Sequence, residues 1–260
     1  MDKPIHVFYQ IPVLPPVAHI APLRAFTWLK LGWEDLRHNP VPSIAHGLLL
    51  VAVGWLMLLF LSAQIELLAA AISGYLLVGP IFGAVFYELS RLRAAGQPAT
   101  FDASIDGALK NGKRLARLGL VLGILAILWV LLSGLLFERA FGGIPPSVRE
   151  NFYRTIVDWS YPGFFLTYLA TGAIFALLAF MLSAVSAPMI FDRAVDTNTA
   201  ILTSFKAVAG NPAAMAVWAA LIAALTAIGF ATFLFGLAIV LPLLGHATWH
   251  AYRDLIIRAD

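Results

Sequence analysis

The sequence contains no cysteine and few charged residues. None of its 260 residues is Cys, and Asp, Glu, Lys and Arg together make up 12%. The first absence excludes disulfides, thiolate metal sites and a cysteine nucleophile. Soluble domains usually contain about 25% charged residues, so half that fraction cannot cover the surface of a water-soluble domain of this size. The composition therefore indicates a chain whose main solvent is lipid.

Motifs of the common enzyme and nucleic-acid-binding classes are also missing. The chain has no glycine-rich phosphate loop, no H-E-x-x-H and no G-x-S-x-G. It has no basic run with interleaved aromatic residues, so a nucleic-acid partner is not expected. Without a complete catalytic constellation, the sequence assigns no enzyme activity and favours a protein without catalysis.

The chain instead contains long apolar stretches with almost no charged residues. Six stretches of about 17 to 25 residues are long enough to cross a bilayer core as helices. We therefore predict an all-α polytopic membrane bundle with six transmembrane helices. The predicted spans are 43–62, 66–89, 115–137, 161–190, 212–229 and 232–254. The turn between the last two is expected around Gly229 to Thr232.

Basic residues are concentrated in alternate gaps between these stretches. Fourteen of the 17 lysines and arginines lie before the first span, between the second and third, between the fourth and fifth, or after the sixth, if Arg117 and Arg253, just inside span ends, are counted with the adjoining gap. The other three, Arg139, Arg149 and Arg154, lie in the segment 138–160. Because cytoplasmic loops carry the excess of basic residues, both termini are predicted to be cytoplasmic and segment 138–160 to be external.

The first 22 residues form a tail in this interpretation. Prolines at positions 4, 12, 15, 16 and 22 interrupt any helix and exclude the apolar helical region of a secretory signal. Residues 1–22 are predicted to be an extended cytoplasmic tail, and residues 23–260 a single membrane domain.

Three turns of the same type indicate an internal repeat. Each is an Asn followed by Pro or Gly, and apolar residues ten, six and three positions earlier form one stripe of a short amphipathic helix. Such helices fit the cytoplasmic interface of a membrane. The turns are Asn39-Pro40, Asn111-Gly112 and Asn211-Pro212.

The return spans of these units also resemble one another. The second, fourth and sixth spans each contain one inner proline, with a titratable residue eight positions later. We therefore predict three units, each an interfacial helix followed by a two-helix hairpin. The alternative is chance matching in an apolar sequence. The prolines are Pro80, Pro188 and Pro242, and the titratable residues are Glu88, Asp196 and His250.

Two runs of the chain resemble a known family. The opening run is WLKLGWEDL, from Trp28 to Leu36, and the closing run is LPLLGHATWHAYR, from Leu241 to Arg253. Both are similar to motifs of bacterial integral membrane proteins catalogued as domain of unknown function 2189, over roughly residues 24–255. Some members carry a label as a cytochrome c oxidase subunit. The resemblance implies the inner membrane of a Gram-negative bacterium and a link to a respiratory oxidase.

Histidines near the cytoplasmic ends of two spans are candidate ligands. His246 and His250 are spaced i, i+4 and project from one face of the sixth span. Paired imidazoles at this spacing can bind one metal ion or ligate haem with further partners, and His46 is expected at a similar depth. The neighbouring Trp249 and Arg253 instead favour a structural anchor at the interface. No cofactor is therefore predicted, and haem or metal at these three histidines stays the alternative.

Ionisable residues near the ends of the return spans form a second candidate site. Glu88, Asp192, Asp196 and His250 are expected close to the cytoplasmic interface, and ionisable groups at membrane depth often mark ion or proton paths. Each inner proline also leaves a carbonyl four residues earlier without its helical donor. These features predict either a polar path between the proline-containing spans, or surface ion pairs and kinked helix packing.

Two functions are consistent with these features. The first is an accessory or assembly partner of another integral membrane complex, with a respiratory oxidase as the example that the resemblance implies. The second is a small transporter or channel with a path between the Pro80, Pro188 and Pro242 spans. The predicted partners are the lipid bilayer and such a complex, and no motif indicates a substrate, an oligomeric state or the identity of the partner.

Overall fold

The computed structural model describes residues 14–142 and 161–257, and its regular secondary structure there is helical. The prediction of an all-α fold is therefore confirmed. Most of segment 138–160 and residues 1–13 of the predicted tail lie outside the described residues. The helices are α1 (Arg24–His38), α2 (Pro40–Leu61), α3 (Ile65–Phe82), α4 (Ala84–Ala94), α5 (Phe101–Lys110), α6 (Gly112–Phe141), α7 (Pro162–Ser183), α8 (Ser186–Asp192), α9 (Thr197–Gly210), α10 (Pro212–Ala231) and α11 (Leu237–Leu255).

Five helical stretches of the described chain are long and apolar enough to cross a membrane. They correspond to the first five predicted spans and run Pro40–Leu61, Glu66–Ala94, Gly112–Phe141, Pro162–Asp192 and Pro212–Ala231. Only 17% of the most apolar window of the first is buried in the protein, which leaves most of that helix for contact with lipid. The sixth predicted span corresponds to α11, which is not among the five. The number of six crossings stays a prediction.

Asparagine separates a short helix from a long one at three points. α1, α5 and α9 end before Asn39, Asn111 and Asn211, and the next helix starts at the following Pro or Gly. Proline at the first helical position loses no hydrogen bond, because the amide there has no intrahelical partner. The short helices thus lie where the sequence places the interfacial helices, although helix order alone does not establish a repeat.

The three inner prolines have different local structures. Pro242 lies inside the continuous helix α11, whereas α3 ends two residues after Pro80. Pro188 lies in the first turn of α8, after a break at residues 184–185, so the chain there is interrupted rather than simply kinked. The amide of Val185 at this break donates to Ser204 Oγ of α9 at 3.1 Å, which compensates for the lost helical bond.

Helix α11 lies at the centre of the fold, and its neighbours approach it through glycines. A Cβ at Gly32 of α1 would lie 2.6 Å from the backbone nitrogen of Ala247. A Cβ at Gly47 of α2 would overlap the carbonyl oxygen of Ala238, the carbonyl that Pro242 leaves without its helical donor. Glycine therefore permits the contacts of α1 and α2 with α11.

The two ends of the described chain lie side by side. Ala18 N donates to Leu255 O at 2.9 Å, and Ile257 N donates to Pro16 O at 3.2 Å. Asn211 holds the same segment, because its Oδ1 accepts from Ile20 N at 2.7 Å. The entry to α1 and the exit from α11 are therefore on the same side of the bundle.

Candidate functional site

A cluster of polar side chains is buried where α1, α2, α4 and α11 meet. Its charged and polar members come from parts of the sequence more than 200 residues apart, and each is fixed by the helix that carries it. We call this group the Asp35 cluster. It comprises Asp35, Ser43, Ser90, Arg93, His246 and His250.

His246 is bonded through both ring nitrogens. Ser90 Oγ lies 2.8 Å from Nδ1 and also donates to Asp35 Oδ2 at 2.5 Å. Because a hydroxyl has one proton, Nδ1 must donate to Ser90. Nε2 then accepts from Ser43 Oγ at 2.9 Å. A neutral imidazole in this tautomer satisfies all three hydrogen bonds, and both Ser43 and His246 are fully buried.

Asp35 is the anionic centre of the cluster. It accepts from Ser90 and from His250 Nε2, the latter at 2.9 Å, and it forms an ion pair with Arg93. Burial alone raises the pKa of Asp35, but the hydrogen bonds from His250 and Ser90 and the charge of His250 outweigh burial and lower this pKa below its ordinary value. The carboxylate is therefore the form that the cluster stabilises.

A second polar contact continues the junction of α1 with α11. Arg24 Nε donates to Asp254 Oδ2 at 2.7 Å, and Trp28 Nε1 donates to the same oxygen at 2.8 Å. Trp28 is fully buried, with its ring edge-on to Trp218 at 5.8 Å between centroids. Together with the Asp35 cluster, this contact joins α1 to the C-terminal part of α11.

The three candidate ligand histidines do not converge on one point. His46 Nε2 lies 2.7 Å from Ser104 Oγ, and its ring stacks on Phe101 at 4.1 Å. Phe86 contacts both His46 and His246, with centroid distances of 6.0 and 5.7 Å. Within residues 14–142 and 161–257, no three His, Asp or Glu side chains are placed to hold a metal ion. Haem or metal ligation stays the untested alternative.

The four predicted ionisable residues occupy three environments. Glu88 and Asp192 line one pocket, whereas His250 belongs to the Asp35 cluster. Asp196 caps α9 by accepting from Thr199 N at 3.0 Å, and the hydrogen bonds from the side chain and backbone of Thr199 lower the pKa of Asp196. The structure thus does not bring these four side chains together in one site.

The pocket that contains Glu88 opens among α4, α5, α8 and α11 and has a volume of about 480 Å³. Glu88 accepts two hydrogen bonds from Arg91, at 2.5 and 2.7 Å. Asp192 accepts from Tyr252 Oη at 2.7 Å. Lys110 of α5 and Arg253 of α11 complete the charged lining. We call this the Glu88 pocket.

The interior between the return helices is filled with apolar side chains. Val185, Met189 and Ile190 are fully buried, and Leu244 of α11 is buried beside them in the same core. The two best-formed pockets of the described residues are lined by other side chains, not by an inner proline. In the described residues, the region between the return helices is thus occupied by apolar side chains.

Sequence reasoning missed four members of the Asp35 cluster: Asp35, Ser43, Ser90 and Arg93. Asp35 was part of the opening run, but no spacing relates it to a histidine 215 residues later. Ser90 and Ser43 are isolated hydroxyls in apolar helices. One signal was available, since an aspartate in an amphipathic helix beside the small residue Gly32 is consistent with a buried rather than an exposed face.

Comparison with known proteins gives a family and nothing more specific. No curated protein and no solved structure matches the chain. A family described as predicted integral membrane protein (DUF2189) matches residues 67–192. The matched segment includes Glu88, Arg91 and Asp192 of the Glu88 pocket, whereas Asp35 and His246 lie outside it. Over residues 67–192 the chain is similar to the DUF2189 family of predicted integral membrane proteins, as the resemblance predicted.

Proposed function

We propose that this integral membrane protein is a non-catalytic accessory or assembly partner of another membrane complex. The main support for the proposal is one face of α6, where three glycines are not covered by other side chains of the described chain. Gly112, Gly123 and Gly134 are each separated by eleven residues, and a Cβ at any of them would meet no atom within 4 Å. Eleven residues correspond to three helical turns, so the three glycines share one face.

The α6 glycine face has the properties of a helix-packing surface. Small residues let two membrane helices approach closely, which strengthens van der Waals contact where no hydrophobic effect distinguishes lipid from protein. Leu120, Ile127 and Leu131 beside the glycines are 61–66% exposed. A ridge of side chains on a partner helix fits between these larger residues and over the glycines.

The polar groups support the same role. His246 is fully buried with both nitrogens bonded to serines, and Asp35 is bonded to three side chains. These groups join helices, and the lining of the two best-formed pockets of the described residues consists of other side chains. The alternative function, a small transporter with a path between the Pro80, Pro188 and Pro242 spans, stays a prediction; the apolar filling of this region favours the partner role.

Six crossings with both termini in the cytoplasm belong to the proposal. The described chain enters at residues 16–18 and leaves at 255–257 on one side of the bundle, which requires an even number of crossings. Five candidate spans together with α11 make six. The 19 residues of α11 cover about 28 Å at 1.5 Å per residue, which is enough for a bilayer core. The resemblance adds the bacterial inner membrane as the location.

Co-purification with matched variants tests the proposal. The tagged chain is purified in a mild detergent from its native membrane, and associated proteins are identified by quantitative mass spectrometry. We expect one integral membrane complex, with respiratory oxidase subunits as the first to look for, to be retained by the original chain. The double variant Gly123→Ile, Gly134→Ile should lose it by about tenfold, since each side chain blocks close approach.

The control places the same side chain on another exposed helix face. Ala173→Ile on α7 adds comparable bulk at an exposed position and should retain the complex. Equal recovery from the glycine variant and this control, or no enriched integral membrane complex at all, contradicts the proposal. An absorption spectrum of the same samples examines haem, because a Soret band lost on His246→Ala would establish ligation.

A further inference from the structure

The Glu88 pocket contains two cations whose charge no neighbouring carboxylate balances. Lys110 of α5 and Arg253 of α11 both line the pocket and are exposed. Among the described residues neither forms a salt bridge. The guanidinium of Arg253 lies over the Trp249 ring at 5.8 Å from its centroid. That contact uses no hydrogen-bond acceptor, so the N–H groups of the guanidinium can still donate to a ligand.

The carboxylates of the same pocket are already engaged. Glu88 holds two donors of Arg91, and Asp192 accepts from Tyr252 and lies 4.0 Å from Arg193 Nε. These ion pairs cancel most of the negative charge. The uncompensated charge that faces the pocket is therefore positive, from an ammonium and a guanidinium carried by different helices.

The shape of the pocket restricts the anion. A volume of about 480 Å³ is much larger than a single inorganic ion requires, and the lining also includes the apolar residues Ala94, Ala95 and Phe191. Guanidinium and ammonium groups together suit the several oxygens of a phosphate. The apolar wall suits an organic group attached to that phosphate.

We propose that the Glu88 pocket binds a phosphate ester, with the phosphate at Lys110 and Arg253 and its organic group against Phe191. An anionic lipid headgroup and a soluble phosphate ester have this chemistry in common. This site is separate from the α6 glycine face, and its ligand binds whether or not the chain has a protein partner. The ion pair of Arg91 with Glu88 forms part of the same lining.

Native mass spectrometry and calorimetry on the purified full chain test this inference. Phosphatidic acid and phosphatidylglycerol are compared with zwitterionic phosphatidylcholine as lipid probes, and glycerol 3-phosphate is the soluble probe. We expect binding of an anionic lipid or of glycerol 3-phosphate that weakens by about tenfold in the double variant Lys110→Gln, Arg253→Gln, because two charge-assisted hydrogen bonds are lost. Added salt should weaken it as well.

Two control variants separate the pocket from general charge and from folding. Lys206→Gln removes an exposed lysine of α9 outside the pocket and should leave binding unchanged, and Lys110→Arg should retain it. Binding of anionic lipid alone identifies the lipid source, and binding of glycerol 3-phosphate identifies the soluble source; both support the site. Equal binding by the double variant and Lys206→Gln, or no binding of any phosphate probe, overturns it.

Discussion

His250 Nε2 lies 2.9 Å from Asp35 Oδ2, which joins the last described helix to the first across 215 residues of sequence. Because Asp35 also forms an ion pair with Arg93 of α4, this one carboxylate holds three helices at the level of the buried His246. The Asp35 cluster is thus a structural junction, and several consequences can be measured on the purified chain.

Removal of Asp35 should destabilise the protein strongly. Asp35→Ala leaves Arg93, His250 and Ser90 without their common acceptor, and breaking a buried ion pair typically costs 3–5 kcal/mol. We expect a loss of about 2–3 kcal/mol, because the Arg93 side chain is 31% exposed and water can solvate it. Thermal unfolding in detergent measures the loss. Glu34→Ala, an exposed neighbour on α1, should change the midpoint little.

Acid should weaken the same junction. The folded-state pKa of Asp35 is lower than its ordinary value of 3.8, so its contribution to stability is fully present above that value and disappears as the pH falls through the folded-state pKa. Unfolding midpoints measured from about pH 6 down to about pH 3 should fall less steeply for Asp35→Asn than for the original chain. Parallel curves would contradict this assignment.

The close approach of α2 to α11 should not tolerate a methyl group. Gly47→Ala places a Cβ against the carbonyl of Ala238, and backbone cannot move away as a flexible side chain can. We expect a loss of about 1–3 kcal/mol. In Gly134→Ala the new Cβ meets no atom within 4 Å, so the unfolding midpoint of the isolated protein should stay the same or rise, because alanine favours a helix over glycine.

Asp196 caps α9, so its substitution should affect stability rather than proton flux. Asp196→Ala removes the acceptor for Thr199 N and should cost about 1 kcal/mol, whereas Asp196→Asn keeps an oxygen there and should cost less. Unfolding midpoints of both variants provide the measurement. A proton-path role would instead make the asparagine variant as defective as alanine in a flux assay, with both midpoints unchanged.

The cysteine-free sequence permits a direct test of topology. Gln97→Cys and Ile257→Cys should react with a membrane-impermeant thiol reagent from the cytoplasmic side, whereas Gln64→Cys and Thr232→Cys should react only from the opposite side. All four positions are exposed in the structure. Labelling of positions 232 and 257 from one side would mean that α11 does not cross the bilayer.

Much of the helical architecture could be predicted because it depends on local properties of the chain. Apolar length predicted the spans, and Asn followed by Pro or Gly predicted where α2, α6 and α10 begin. The predicted turn at Gly229 to Thr232 was placed slightly early, since α10 continues to Ala231 and the turn occupies residues 232–236. Phe233 and Leu234 adopt positive φ there, a conformation that their residue types do not suggest.

The candidate sites were less predictable, because they depend on partners distant in sequence. His246 and His250 were recognised as a pair on one helix face, but their partners Ser43, Ser90 and Asp35 come from three other helices. The eight-residue spacing from each proline placed Glu88, Asp196 and His250 as equivalents. Each of the three instead bonds to a different partner, because equivalent positions in similar helices have different neighbours in the fold.

The sequence by itself determined that this chain is helical and lies in a membrane, and it indicated the family, because hydropathy and helix-terminating residues act within a few turns of chain. Only the tertiary structure decided that Asp35 is an internal junction, that Lys110 and Arg253 line one pocket, and that Gly112, Gly123 and Gly134 of α6 face outward. These properties depend on which side chains from distant segments come into contact and which stay uncovered. Burial of polar side chains without hydrogen bonds or ion pairs is costly, so the polar side chains that meet in the interior bond to one another.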